Sequence, residues 1–135
     1  MSQENVELVG ASIEALRRRG ADVYLEFMAE DVEVHPDSSR FPEAKPFRGR
    51  EEFRRFFAEI DEGWEGGART GVIREICSVG DRVMARADWG GRGQASGIDL
   101  RSSLTAIYTV REGQIIKIEF FFDHAEALEA VGLSE

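Results

Sequence analysis

Few residues in this chain have both the type and the setting to do chemistry, and they fall in two short stretches. The first is "DVEVHPD", residues 31–37, where His35 follows an apolar valine and precedes Pro36. A proline holds the residue before it extended. An imidazole titrating near neutrality in such a place could take a proton from an activated carbon. Alternatively it is a strand-end histidine hydrogen-bonded to the loop. "HPD" also suggests a metal pair of His35 with Asp37, but the only other histidine, His124, is remote in sequence, so no metal is expected.

The second stretch is "IKIEFFFDHAEALEA", residues 116–130, in which Glu119 and Asp123 flank three phenylalanines. Strand alternation places Ile116, Ile118, Phe120 and Phe122 on one face, with Lys117, Glu119, Phe121 and Asp123 on the other. Glu119 either enters a pocket as an acid or base or lies outside and pairs across the sheet. Asp123 opens "DHAE", a capping box in which the aspartate accepts from the helix amides and Glu126 reaches back. A carboxylate bound to backbone amides is a weaker base. Capping is therefore the first reading of Asp123 and catalysis the second.

The elements that must position these groups follow from length and pattern. A chain of 135 residues, 42% hydrophobic and 32% charged, fits one domain, 1–135, with a real core. The net charge of -9 argues against nucleic acid, whose phosphates need clustered positive charge, and against an anionic membrane. No apolar run is long enough to span a bilayer and the first residues show no signal-peptide pattern, so a cytoplasmic protein is expected. Cys77 is the only cysteine, which rules out an intrachain disulfide; alternating with apolar neighbours in "VIREICSVG", it reads as a buried structural thiol.

Val6, Val9, Ile13 and Leu16 recur at helical intervals over residues 3–19, with Ser2 as cap, Arg17, Arg18 and Arg19 complementing the carbonyl end, and Gly20 as the stop. A second helix fits residues 22–28, capped by Asp22, and a short strand ends at Pro36. Residues 37–48 carry two prolines and read as a surface loop that could act as a lid. A third helix over residues 50–61 aligns Phe53, Phe56, Phe57 and Ile60. Hairpin signals at "GD", "GGRG" and "REGQ" then separate strands near 69–79, 82–89, 97–110 and 114–122, before a terminal helix from Asp123. Helices segregated against an antiparallel sheet make an α+β fold.

The element order, together with "MAEDVEVHP", "FRGREEFRRFF" and "YTVREGQIIKIEFFFDHAEALEAVGL", resembles the nuclear transport factor 2-like superfamily, most closely its SnoaL-like and ketosteroid-isomerase-related branch. The resemblance implies a cone-shaped, cystatin-like α+β barrel: a curved antiparallel sheet wrapped around helices, enclosing an apolar pocket and often dimerising through the outer sheet face. It also implies positions for chemistry. The general base of the ketosteroid isomerases falls at about His35, while their oxyanion-hole tyrosine and acid fall near Ile13 and Ala106. The polyketide-cyclase carboxylate would be Glu119 or Asp123, and an epoxide-hydrolase arrangement can be sketched with Asp88, Arg101 and Asp99.

A flat apolar ligand needs aromatic walls, for which Tyr24, Phe27, Phe53, Phe57, Trp64, Trp89 and Tyr108 are available. Arg101, with Arg82 and Arg86, either makes a charged outer sheet face or binds a carboxylate or phenolate on the ligand. The expected function is a small enzyme without cofactor that abstracts a proton next to a carbonyl of a flat hydrophobic compound, as an isomerase or polyketide cyclase does, with His35 as base. The alternative is a binding or association module of the same fold. Two or more ionisable groups converging on the cavity favour the enzyme. A small hydrophobic ligand and a homodimeric partner are expected.

Overall fold

A computed structural model describes residues 2–37, 45–64, 69–93 and 96–133. Four helices pack with a six-stranded sheet of order β2-β1-β6-β5-β4-β3, which curves without closing, so β2 and β3 are its two edges. The fold is α+β as expected. Four of its five strand pairs are antiparallel, and β1 runs parallel to β6. A parallel pair needs a long crossover. Here most of the chain lies between the two strands, which brings the His35 end of β1 beside the end of β6.

Helix α1 (Ser2–Arg19) buries Val9 and Ile13, and Ser12 fits inside the same face because its hydroxyl donates to the Val9 carbonyl at 2.7 Å. Ser2 is its first helical residue. Arg17 and Arg18 both pair with Glu14, at 3.1 and 3.0 Å. The second helix is shorter than its pattern predicts. Helix α2 (Ala21–Leu25) has Gly20 at its cap, with φ of 96°, a conformation that costs a glycine little. Asp22 lies inside the first turn, where it accepts from Arg54 at 3.1 Å. Met28, fully buried, already belongs to β1 (Met28–His35).

Strand β2 (Phe47–Arg48) leads into α3 (Arg50–Glu62), whose apolar face is a cluster of rings. Phe53 is fully buried and stacks on Phe57 at 4.9 Å, and Tyr24 meets both edge-on. The long hairpin strands follow: β3 (Arg69–Val79), β4 (Arg82–Arg92), β5 (Asp99–Arg111) and β6 (Gln114–Phe121). "GGRG" does not end its strand at residue 89, since Gly90, Gly91 and Arg92 stay paired with β5. A register shift between Thr109 and Val110 adds one residue on β6. Ile115, not Ile116, is therefore the fully buried residue at the start of that strand.

The convex sheet face carries a second, smaller core. Met84, Ile107 and Phe121 pack there against Ala127 in the middle of α4 (His124–Ala130) and Val131 just beyond its end. This helix covers part of the face expected to join two copies. Cys77 lies beyond that cover and is exposed, not buried, because β3 is an edge strand. No helix among the described residues is long and apolar enough to cross a membrane.

Candidate functional site

Alternation in the three central strands creates the cavity. Ala85 on β4, Ala106 on β5 and Phe120 on β6 are in register on the concave face, and Ala87 pairs with Leu104 one step further along. The methyl groups of Ala85, Ala87 and Ala106 cannot fill the space between the sheet and α3. A cavity of about 950 Å³ remains, floored by these alanines and roofed by Phe56, Phe57 and Ile60 of α3. That is the size of a small-molecule site.

Its deep end is polar at one point. Tyr24 of α2 and Tyr108 of β5 bring their hydroxyls to 2.9 Å inside a buried environment. Burial pushes Tyr24 well above the ordinary tyrosine range, helped by Tyr108 beside it. Burial likewise raises Tyr108 to about 12, although the hydrogen bond with Tyr24 works in the opposite direction. Both are neutral at physiological pH. Two hydroxyls share one hydrogen bond between them, which leaves the pair a second O–H to donate.

The other end carries a carboxylate. Asp37 is only 5% exposed, lines the cavity, and accepts a hydrogen bond from the Phe122 amide at 2.8 Å. Ile118 pairs with Tyr108, and Phe122 lies four residues further on, so the backbone positions that anchor the two polar points are about 13 Å apart along the strand direction at ~3.3 Å per residue. From Phe122 a chain of ring contacts along the cavity lining runs to Trp89 and Trp64. Trp64 meets Trp89 edge-on at 5.5 Å, and Trp89 meets Phe122 edge-on at 5.8 Å. Glu59 contributes a second, more exposed carboxylate to the rim. Asp88 borders the cavity with its backbone strand, but its carboxylate is held by Arg74 at 2.6 Å, and strand alternation with Ala87 and Trp89 turns it to the convex side.

The residues singled out from sequence divide sharply. Tyr24, Phe57, Trp64, Trp89 and Tyr108 line the cavity, whereas Phe27 packs into the core. The side chain of Arg101, like residues 38–44 of the 37–48 loop expected to be a lid, lies outside the described residues. None of the three acid-base candidates lines the cavity. His35 alternates with the fully buried Val34 and so faces away from it, 3.8 Å from Glu33, with its Nε2 shielded and unbonded among the described residues. Glu119 is the register partner of both His35 and Ile107, which places it on the same convex face. Asp123 caps α4, its carboxylate accepting from the Ala125 amide at 2.9 Å. Among the described residues no group of three or more metal-ligating side chains converges.

Sequence reasoning weighed Asp37 only as a partner for a metal. The parity of Val32 and Val34 fixes which face of β1 is buried and excludes His35, but Asp37 shares the parity of His35 and no local pattern places it at the cavity. Its burial depends on an amide 85 residues away.

Solved structures with this fold are numerous. TerC, co-crystallised with polyporic acid, is 24% identical, with a TM-score of 0.75 over 95% of this chain and 98% of its own. A ketosteroid-isomerase-like protein from Catenulispora acidiphila, in complex with trimethylamine, is 19% identical, with a TM-score of 0.72 over 94% and 93%. A cystatin-fold protein from Novosphingobium aromaticivorans is 21% identical, with a TM-score of 0.69 over 90% and 98%. No curated protein matches the sequence at a significant level. The family model of the SnoaL-like domain matches residues 9–118, most of the chain and every wall of the cavity except Phe120 and Phe122, and this protein belongs to that family.

Proposed function

We propose that this protein binds a flat, mostly apolar molecule with a carbonyl or phenolic oxygen and moves a proton from a carbon near that oxygen, as an isomerase or polyketide cyclase does. The reading rests on one observation: a neutral tyrosine pair and a buried carboxylate occupy the same otherwise apolar cavity. In it, the spare O–H of the Tyr24–Tyr108 pair donates to the ligand oxygen. That bond strengthens as negative charge gathers there during enolisation, and a water-poor cavity enlarges the effect. Asp37 takes the carbon-bound proton, the role that the resemblance assigned to His35 two residues earlier. A base must come within hydrogen-bond reach of the proton it removes. Lining the cavity gives Asp37 that access, while His35 on the convex face lacks it. The small molecules held by TerC and by the Catenulispora protein fit a ligand-binding use of the fold.

The test is deuterium exchange at the carbons flanking the carbonyl of 2-tetralone, followed by NMR. Wild-type protein should accelerate exchange, and Asp37→Asn should lose about a hundredfold of that acceleration while still binding the ketone. Tyr108→Phe should weaken binding of ketones and phenols but leave hydrocarbon binding intact. Binding without exchange in the wild type would make the protein a binding module, and undiminished exchange in Asp37→Asn would remove Asp37 from its role.

A further inference from the structure

We propose that the open end of the cavity is a subsite for a protonated amine carried on the outward end of the ligand. This rests on the reading of the cavity as the ligand site and specifies what it selects. Trp64 and Phe122 both stand nearly perpendicular to the ring of Trp89, at 81° and 73°, with centroids 5.5 and 5.8 Å away. All three rings line the cavity, so a guest at this end meets aromatic surface from three side chains. The negative faces of such rings attract a cation, indole most strongly.

The charge distribution favours the same guest. Asp37 is tethered to the amide of Phe122, one of the three rings, so a carboxylate sits at the foot of that wall. Glu59 adds a carboxylate to the cavity lining. Among the described residues every ionisable side chain lining the cavity is acidic or phenolic, and none is basic. An anionic group brought here would be desolvated against like charge, whereas an ammonium exchanges water for ring faces and carboxylate. The whole chain, at -9, adds an attractive field for a cationic ligand.

The two ends of the cavity therefore ask for different groups. The deep end offers a hydroxyl donor to an oxygen, and the mouth offers aromatic faces and negative charge to a cation. The matching class is an elongated, flat compound with a phenol or ketone at one end and a basic amine at the other.

Isothermal titration calorimetry at neutral pH with three matched naphthols tests this. The compounds are 6-(aminomethyl)-2-naphthol, 6-(hydroxymethyl)-2-naphthol and 6-hydroxy-2-naphthoate, which differ in charge at the outward end. The amine should bind roughly tenfold tighter than the alcohol, and the naphthoate more weakly than both. Trp89→Leu should bring amine and alcohol to within about twofold, and Trp89→Phe should restore part of the preference. If the alcohol binds, is weakened by Tyr108→Phe, and is matched by the amine, the cavity reading stands and the amine subsite is overturned. Failure of all three to bind the wild type would overturn both.

Discussion

The two faces of the central strands are built from alternate residues of the same sequence, yet one is open and the other closed. On the concave face, Ala85, Ala87 and Ala106 stand opposite the rings of α3 and leave about 950 Å³ unfilled. On the convex face, Met84, Ile107 and Phe121 are filled in by Ala127 and Val131 at the C-terminal end of the chain. Hydrophobic burial drives both. The difference lies in side-chain volume at matched register, so the cavity is a packing deficit beside a well-packed opposite face. The carboxylates sort in the same way: Asp37 lines the cavity, while Glu119, Asp123 and the paired Asp88 belong to the convex side.

Adjacent residues on β5 make the strongest test of that contrast. Ile107 is fully buried on the closed face, and Ala106 borders the cavity on the open one. Ile107→Ala should destabilise the protein by about 3 kcal/mol, the usual cost of a core cavity, with ligand affinity little changed. Ala106→Phe should do the reverse. The added ring enters existing space and blocks the path between the tyrosine pair and Asp37, so binding should fall by at least about a hundredfold, or ~2.7 kcal/mol, while chemical denaturation changes less. Equal stability losses in both variants would mean that the cavity is filled in solution.

The tyrosine pair gives a pH-dependent contrast between the deep end of the cavity and the rest of the molecule. Tyr108 is raised from the ordinary 10.0 to about 12 by burial, so the folded chain keeps a proton that the unfolded chain releases above 10. With the folded value raised, the contribution is fully present below pH 10 and is lost as pH climbs through about 12. The loss is ~1.4 kcal/mol per pH unit, near 2.7 kcal/mol across that window for Tyr108 alone. Tyr24 shifts in the same direction and adds to it. Phenolate absorbance should appear together with unfolding, and Tyr108→Phe should flatten the alkaline limb. Ionisation at the ordinary tyrosine range without unfolding would show that the pair is open to water.

Local regularities made most of the fold legible. The i, i+3, i+4 stripe of α1, the phenylalanine face of α3 and the turn glycines between β3, β4, β5 and β6 each report on neighbours within a few residues. What failed was non-local. The β6 bulge opposite Thr109 and Val110 moved burial from Ile116 to Ile115, because alternation counted along one strand cannot register an extra residue set by its partner. Cys77 followed an apolar rhythm, but only the sheet order reveals that its strand is an edge. At the site, aromatic residues were found by type, whereas His35 was favoured for its chemistry against the parity of Val32 and Val34. Asp37 gained its place from the Phe122 amide, a contact that no sequence window contains.

The smallest predicted effect concerns the aspartate that most resembles a catalytic carboxylate in sequence. Asp123 follows three phenylalanines, one residue after the cavity-lining Phe122, yet its carboxylate accepts from the Ala125 amide and starts α4. Removing an N-cap typically costs about 1 kcal/mol. Asp123→Ala should therefore lower stability by about that amount, with amide exchange accelerating first in α4, because seven residues hold little helix without packing. Exchange of 2-tetralone protons and naphthol affinity should stay within about twofold of wild type, since a cap on the convex face does not touch the ligand. A tenfold loss of either would place Asp123 in the cavity chemistry and erase the division of labour between the faces.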